Sequence, residues 1–408
     1  MRYKLLAAVL ALVLLAGCAG GTTPWAQDFT SVPDNAAHHT APPPGEEYRA
    51  MWISYLEWQP LTGADENTFR AAAGEMLDNC AALGLNTVIA QVRPFGDALY
   101  ESSLFPASHL LSGAQGQSPG YDPLAILVEL AHARGLRIEA WLNPYRVQLT
   151  QNLPASLADT NPAVLHPEWV HEVNGGLYYD PGLPEVQQLI ADGVAEVVQN
   201  YEVDGIHFDD YFYPTTEPSF DEAIYAQYGG GLELDEWRRQ NVDQLVKTVY
   251  ARIKELDPDV TFGISPQGNN DNNYTQQYSD VSLWLRETGY VDYVMPQLYW
   301  GFGYLTASGR TDYQFKTLCG YWNGLERAEG VDLYIGLGAW RIGTGDGGAN
   351  DQAEWSSGRN LADMVAALRE AGCGGFALYR YDSLYSNAEY PDLAASERTA
   401  LGELLAQE

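Results

Sequence analysis

Ala82-Leu83-Gly84-Leu85-Asn86-Thr87-Val88-Ile89-Ala90-Gln91-Val92 holds a helix end, a glycine turn and the start of an apolar run in one stretch. Ala133-Arg134-Gly135-Leu136-Arg137 repeats that arrangement one unit later. In both, glycine supplies the left-handed residue that closes a helix, and the apolar run behind it has the length of a strand. Outward from this pair, eight such runs are found: 48–54, 86–92, 137–142, 205–210, 260–265, 291–297, 332–338 and 374–380. Helical patterns lie between and after them, near 67–83, 123–134, 184–200, 235–256, 280–288, 311–327, 351–371 and 392–406. Asp122-Pro123 and Leu183-Pro184 put proline in first helical turns, where its missing N–H costs little. The alternation predicts parallel strands joined by crossover helices, closed as one (β/α)8 TIM barrel over 48–408. No GxGxxG follows the first strand, which disfavours a dinucleotide fold. The pattern fills the chain, so no extra C-terminal domain is expected.

Upstream the pattern changes. Residues 1–17 read as a signal peptide, with Arg2 and Lys4 ahead of an apolar run, Leu5 to Leu15, too short for a permanent membrane span. It ends in Leu15-Ala16-Gly17-Cys18, which matches the lipobox of bacterial lipoproteins. Cys18 is therefore the expected lipidation site, with several acyl chains giving a stable anchor. Residues 18–47, rich in Gly, Thr, Pro and Ala, read as a flexible tether. The expected location is outside the cytoplasm, held to the outer face of the cell membrane or to the outer membrane.

The formal charge of -32 argues against nucleic acid or an anionic bilayer surface as the main partner. A neutral or amino-sugar polymer is compatible with it. The 27 Tyr and 11 Trp exceed what a core needs, and flat aromatic faces suit sugar rings, although most will serve packing. Cys80, Cys319 and Cys373 show no metal-ligand spacing and read as buried thiols, with one disulfide allowed and no pairing indicated. No cofactor or metal is expected.

In such barrels the reactive groups sit at the C-terminal ends of strands. These ends are polar and aromatic almost throughout. Gly205-Ile206-His207-Phe208-Asp209-Asp210-Tyr211 is the sharpest element. Strand alternation turns His207 and Asp209 toward the barrel axis and Ile206, Phe208 and Asp210 to the other side. Asp209 is thus the expected nucleophile or charge stabiliser of a glycoside hydrolysis. Asp210 is the second catalytic candidate, with roles as acid, orienter or loop cap left open. Glu57, Asp97, Glu139 and Asp271 are alternatives for the acid, none singled out. Arg93, Asn143, Tyr145, Arg146, His207, Tyr211, Gln297, Tyr299, Trp300 and Trp340 are the expected substrate-binding residues. Arg93, Asn143 and Arg146 read best as substrate positioners or partners that set carboxylate pKa values, with an ion pair sealing the top of the barrel a close second for either Arg.

EYRAMWIS (47–54), NTVIAQVRPFGDALYESSLFPAS (86–108), GYDPLAILVELAHARGLRIEAWLNPYR (120–146), YYDPGLPEVQQLI (178–190) and VDGIHFDDYFYP (203–214) resemble the glycosyl hydrolase-like 10 family. The resemblance implies a TIM-barrel glycosidase fold in an exported or lipoprotein chain. One line of that family acts on peptidoglycan glycan strands stripped of their peptides, which makes cell-wall glycan the expected partner. Carried over residue by residue, the fourth-strand motif points to Asp209, with Asp210, His207, Asn143 and Arg93 around it. The family does not settle the acid partner.

Two rival readings remain at this stage. His-Phe-Asp-Asp is similar to the Asp-Asp motif of metal-dependent polysaccharide deacetylases, but those need a His pair at helical spacing, and His166 and His171 are five apart. A glycan-binding lipoprotein without turnover is the other, prompted by the lack of a Glu at the end of the fifth strand.

Overall fold

The structure, a computed structural model, describes residues 46–349 and 353–407, all inside the compact unit from His39 to Glu408. The signal segment, Cys18 and nearly all of the tether lie outside the described residues. None of the described helices is long and apolar enough to cross a membrane.

Eight parallel strands form the core of that unit. The first five are Tyr48–Ile53, Thr87–Arg93, Arg137–Leu142, Gly205–Phe208 and Thr261–Ile264. The sixth is two segments, Tyr293–Val294 and Gln297–Leu298, the seventh is Asp332–Leu333 and Ile335–Gly338, and the eighth is Gly375–Tyr379. Pro296 splits the sixth because it has no N–H for the ladder. Consecutive strands pair in order, and Tyr48 opposite Gly375 joins the eighth to the first. Each half of the sixth pairs with the corresponding half of the seventh, and the seventh pairs with the eighth, so the ring is closed. The chain is a TIM barrel, as its strand periodicity predicts.

Helices Glu66–Leu83, Pro123–His132, Pro184–Asn200, Leu234–Leu256, Val281–Arg286, Phe315–Asn323, Asn360–Glu370 and Pro391–Leu405 follow the strands. Asp65 and Asp122 cap the first two through the N–H groups of Thr68 and Ala125. Gly84 and Gly135 take φ of 89° and 69°, the left-handed values that end these helices. The outward faces of the strands, such as Val88, Ile138, Ile206 and Phe262, pack under the helices in one large apolar cluster.

One region carries structure that periodicity does not reveal. Between the third strand and its helix, Arg146–Gln148, Gly176–Tyr179 and Val170–Val173 form a small antiparallel sheet. Its strands are too short to alternate legibly.

The barrel interior is aromatic and polar. Tyr48 and Tyr293 both donate to Glu139, and Tyr293 also meets His207 Nδ1 at 2.8 Å. Ser265 Oγ and Trp52 Nε1 reach His207 Nε2 at 2.9 and 3.3 Å. The consistent reading is a neutral His207 with its proton on Nδ1, since Tyr293 has already given its own to Glu139. Burial holds the His207 pKa down at about 3. Gly263 makes room for this chain, because a Cβ there would land inside the Tyr293 ring. Gly263→Ala is therefore expected to cost about 1–3 kcal/mol through overpacking, read as a lower midpoint in urea unfolding.

Candidate active site

Asp209 and Asp210 follow directly on the fourth strand, which ends at Phe208. Asp209 is 3% exposed. Its Oδ2 accepts from Asn143 Nδ2 at 2.5 Å and Trp141 Nε1 at 3.3 Å, and its Oδ1 accepts from the Tyr211 N–H at 3.1 Å. Asn143 is held in turn: Gln91 Nε2 and Arg146 Nη2 donate to its Oδ1 at 2.5 and 3.3 Å. Gln91 itself accepts from the Tyr55 N–H at 2.9 Å. A chain of amides from the first three strand ends therefore fixes one carboxylate from the fourth.

Asp210 lies nearer the surface. Its Oδ1 accepts from Gln297 Nε2 at 3.0 Å, and Gln297 also donates to the Ser265 carbonyl at 2.8 Å. Alternation sends Asp210 to the helix side, but the strand has already ended and the chain turns, so Asp210 faces Gln297 at the end of the sixth strand. Burial, and then the neighbouring charge of Asp210, push the Asp209 pKa up to about 7. Asp210 is raised as well, chiefly by burial. Both shifts oppose ionising the two carboxyls together, so the pair titrates as a unit.

Aromatic side chains surround this pair. Tyr299 stacks on Tyr379 at 5.8 Å between ring centres and meets Trp340 edge-on at 6.2 Å. Tyr379 lies edge-on to Trp52 at 5.9 Å. Tyr211 and Trp340 are 50% and 39% exposed, large flat faces open to solvent. Arg146 lies over the Tyr211 ring at 4.9 Å and donates to the Pro94 carbonyl, so it steadies both Asn143 and Tyr211. Trp300 packs instead with Tyr304 and Tyr313.

Besides Trp300, three residues expected to bind substrate stand elsewhere. Arg93 follows a register shift between Gln91 and Arg93 that turns it out of the barrel. Its guanidinium lies 4.5 Å over the Phe105 ring, which fits against Gly193 of the third helix. His207 is fully buried beneath the doublet, in the interior chain described above. Tyr145 is also fully buried and packs on Phe212 at 6.4 Å. Asn143, Arg146, Tyr211, Gln297, Tyr299 and Trp340 do gather near the two carboxylates. Tyr379 and Gln91 belong with them; both stand at strand ends with inward parity, the signal that could have selected them.

The alternative acids are engaged elsewhere. Glu139 is a core group near Arg137, 3.8 Å away, with burial raising its pKa to about 7. Asp97 holds His109 Nδ1 at 2.7 Å and Gln115 at 3.1 Å. Asp271 is exposed on a short helix. Glu57 accepts from Ser54 N and Oγ and from the Asp382 N–H, with Arg380 3.6 Å away. Among the described residues no three His, Cys, Asp or Glu side chains gather as metal ligands. His166 stacks on Trp169 and His171 pairs with Asp180, so neither serves the doublet as a deacetylase ligand pair would. Cys80, Cys319 and Cys373 are buried free thiols.

A family model described as Glycosyl hydrolase-like 10 matches residues 47–357. The chain is 36% identical over 347 residues to Glycosyl hydrolase YngK of Bacillus subtilis (strain 168), across 79% of this chain and 66% of that protein. It is 34% identical over 372 residues to Glycosyl hydrolase DigH of Escherichia coli (strain K12), across 82% and 83%. It thus spans just under two thirds of the Bacillus protein. Among solved structures, the PgaB (BpsB) glycoside hydrolase domain from Bordetella bronchiseptica superposes with a TM-score of 0.56 at 17% identity, covering 87% of this chain and 99% of that one. The catalytic domain of β-amylase from Paenibacillus polymyxa gives 0.54 at 12%, covering 87% and 97%. At such identities these two likenesses speak for the fold alone.

Proposed function

The chain belongs to the glycosyl hydrolase-like 10 family, and from that premise we propose that it is a membrane-anchored, extracytoplasmic glycoside hydrolase acting on peptide-free peptidoglycan glycan strands or a related polysaccharide. The observation that carries the reading is the Asp209–Asp210 doublet, held by Asn143, Trp141 and Gln297 within an aromatic rim at the C-terminal ends of the strands. Glycoside hydrolysis needs a proton donor and a carboxylate that stabilises a cationic centre. A doublet sharing one proton supplies both. Open Tyr and Trp faces suit the C–H faces of pyranose rings, and the negative charge tolerates a neutral polymer. The anchor belongs to the reading through Cys18, and palmitate labelling lost in Cys18→Ala tests it.

The direct test is to incubate the purified domain with peptide-free and peptide-bearing cell-wall glycans and identify products by mass spectrometry. Shortened glycan from the peptide-free strands is the expected result. Cleavage of only a storage or plant polysaccharide would overturn the cell-wall assignment.

The shared proton gives a pH expectation. The acid of the pair must be protonated to act, and both carboxyls are raised, Asp209 to about 7 by burial and by Asp210 and Asp210 chiefly by burial. Activity should fall on the alkaline side with an apparent pKa near 7 that belongs to the pair. Asp210→Asn removes the neighbouring charge, so the remaining Asp209 should titrate at lower pH, visible in the carboxyl signals by NMR.

A further inference from the structure

We propose that the nucleophile of this site is supplied by the substrate: the carbonyl oxygen of a 2-acetamido group on the sugar being cleaved, with Asp209 holding the amide and Asp210 serving as acid and base. The inference rests on the hydrolase reading above and names the sugar class it requires.

The arrangement of carboxylates motivates it. Direct displacement by water needs two carboxyl groups about 6.5–9.5 Å apart across the bond, and a covalent glycosyl-enzyme needs them about 5–5.5 Å apart. Both geometries flank the sugar with groups from opposite walls. Asp209 and Asp210 are consecutive residues on one strand end. Glu57, Asp97 and Glu139, the acids on the first three strands and the loops after them that could face them, are each bound to other partners. Asp382, beyond the eighth strand, is paired with Arg380 at 3.5 Å, so with both carboxylates of the doublet on one wall a neighbouring group on the sugar takes the nucleophile's place.

The surroundings of Asp209 fit an acetamido group. Three donors fix it as an acceptor deep in the site, with lone pairs left for an amide N–H. Indole and phenol rings lie beside it: Trp141 donates to it, and Tyr379 and Tyr299 are close enough to feel its charge. Trp52 closes on Tyr379 from below. Aromatic rings next to a fixed acceptor suit a methyl group attached to an amide. Asp210 is nearer solvent than Asp209.

The steps balance. The acetamido carbonyl oxygen bonds to C1 while the C1–O bond to the leaving sugar breaks. The departing oxygen takes the proton of Asp210, and the amide proton passes to the Asp209 carboxylate, leaving a neutral oxazoline. Water then bonds to C1 as Asp210 takes its proton. The oxazoline C1–O bond breaks, and Asp209 returns its proton to nitrogen. One water is consumed and the anomeric configuration is retained.

The experiment compares peptide-free glycan strands in native form with strands whose N-acetyl groups have been replaced by N-trifluoroacetyl. Fluorine withdraws electrons from the carbonyl oxygen, and an internal nucleophile owes its advantage to that oxygen. The modified strands should be cut about 100-fold more slowly or worse, and the first product anomer from native strands should show retention by NMR. On an N-acetylated oligosaccharide with an aryl leaving group, Asp210→Asn should still release the aryl group in its first turnover, with the later, base-assisted attack of water slowed, and Asp209→Asn should lose the first-turnover release. Equal rates on the two strands, an inverted first anomer, or a sugar found covalently on a carboxylate would each overturn the acetamido route and leave the hydrolase reading standing. Cleavage of neither strand would overturn the cell-wall hydrolase reading on which the proposal rests.

Discussion

Asp209→Asn is expected to lower kcat by about 10³-fold or more while leaving glycan affinity nearly unchanged, as measured by initial rates and by calorimetric binding. The substitution keeps the shape of the side chain and the bond from Asn143, whose amide can donate to an amide oxygen as well as to a carboxylate. It removes the charge that stabilises a cationic centre. A residue that only supported the fold would lower stability instead, and here the opposite is expected. The folded-state pKa of Asp209, about 7, lies above its ordinary value near 3.8 because burial and Asp210 penalise the anion. The folded protein therefore binds a proton that the unfolded chain releases between those values, and stability falls as pH rises through that window. The neutral Asn escapes this loss. Asp209→Asn should melt higher than the parent at pH 8 and equally at pH 3. A protein that is inactive and at the same time more stable in alkali identifies a site kept at a cost in folding energy. A chain with no turnover in either form would be a binder instead.

The contrast between fold and site shows what a sequence can carry. The eight strand runs and the glycines at 84 and 135 announce the barrel because period and helix termination are local properties of the chain. Direction is local too: parity turns Asp209, His207 and Glu139 inward as expected. Height along the barrel axis is not local, since it follows from how neighbouring strands are staggered. His207 and Glu139 therefore have the right parity for a site and the wrong level, joined below it through Tyr293. Arg93 escaped for a different reason, a register shift that reverses parity at one step. Asp210 escaped because alternation ends with the strand, one residue before the doublet. The support of Asn143 by Gln91 and Arg146 joins three separated segments, and only the closed ring brings them together.

Asp221→Ala is expected to destabilise the domain by about 3–5 kcal/mol, because it strands a buried cation. Arg238 on the fourth helix and Asp221 in the loop after the fourth strand are both completely buried and bound at 2.6 and 2.9 Å through two nitrogens. The same guanidinium donates to the carbonyls of Thr216 and Glu217 and to the Tyr278 hydroxyl. The Tyr213 and Tyr278 rings lie 5.3 and 5.0 Å from it. All its donors are thus aimed at the loop that begins with Asp209 and at the aromatic cluster beneath it. Removing Asp221 should lower the urea midpoint and open residues 211–221 to proteolysis. The paired change Asp221→Leu with Arg238→Met should regain much of the stability, since two apolar groups carry no unpaired charge. It should not regain turnover, because the bonds that hold the loop by its carbonyls are lost with the guanidinium. Full activity in the paired variant would show that the loop keeps its course without Arg238, and that Asn143 and Trp141 alone suffice to aim Asp209.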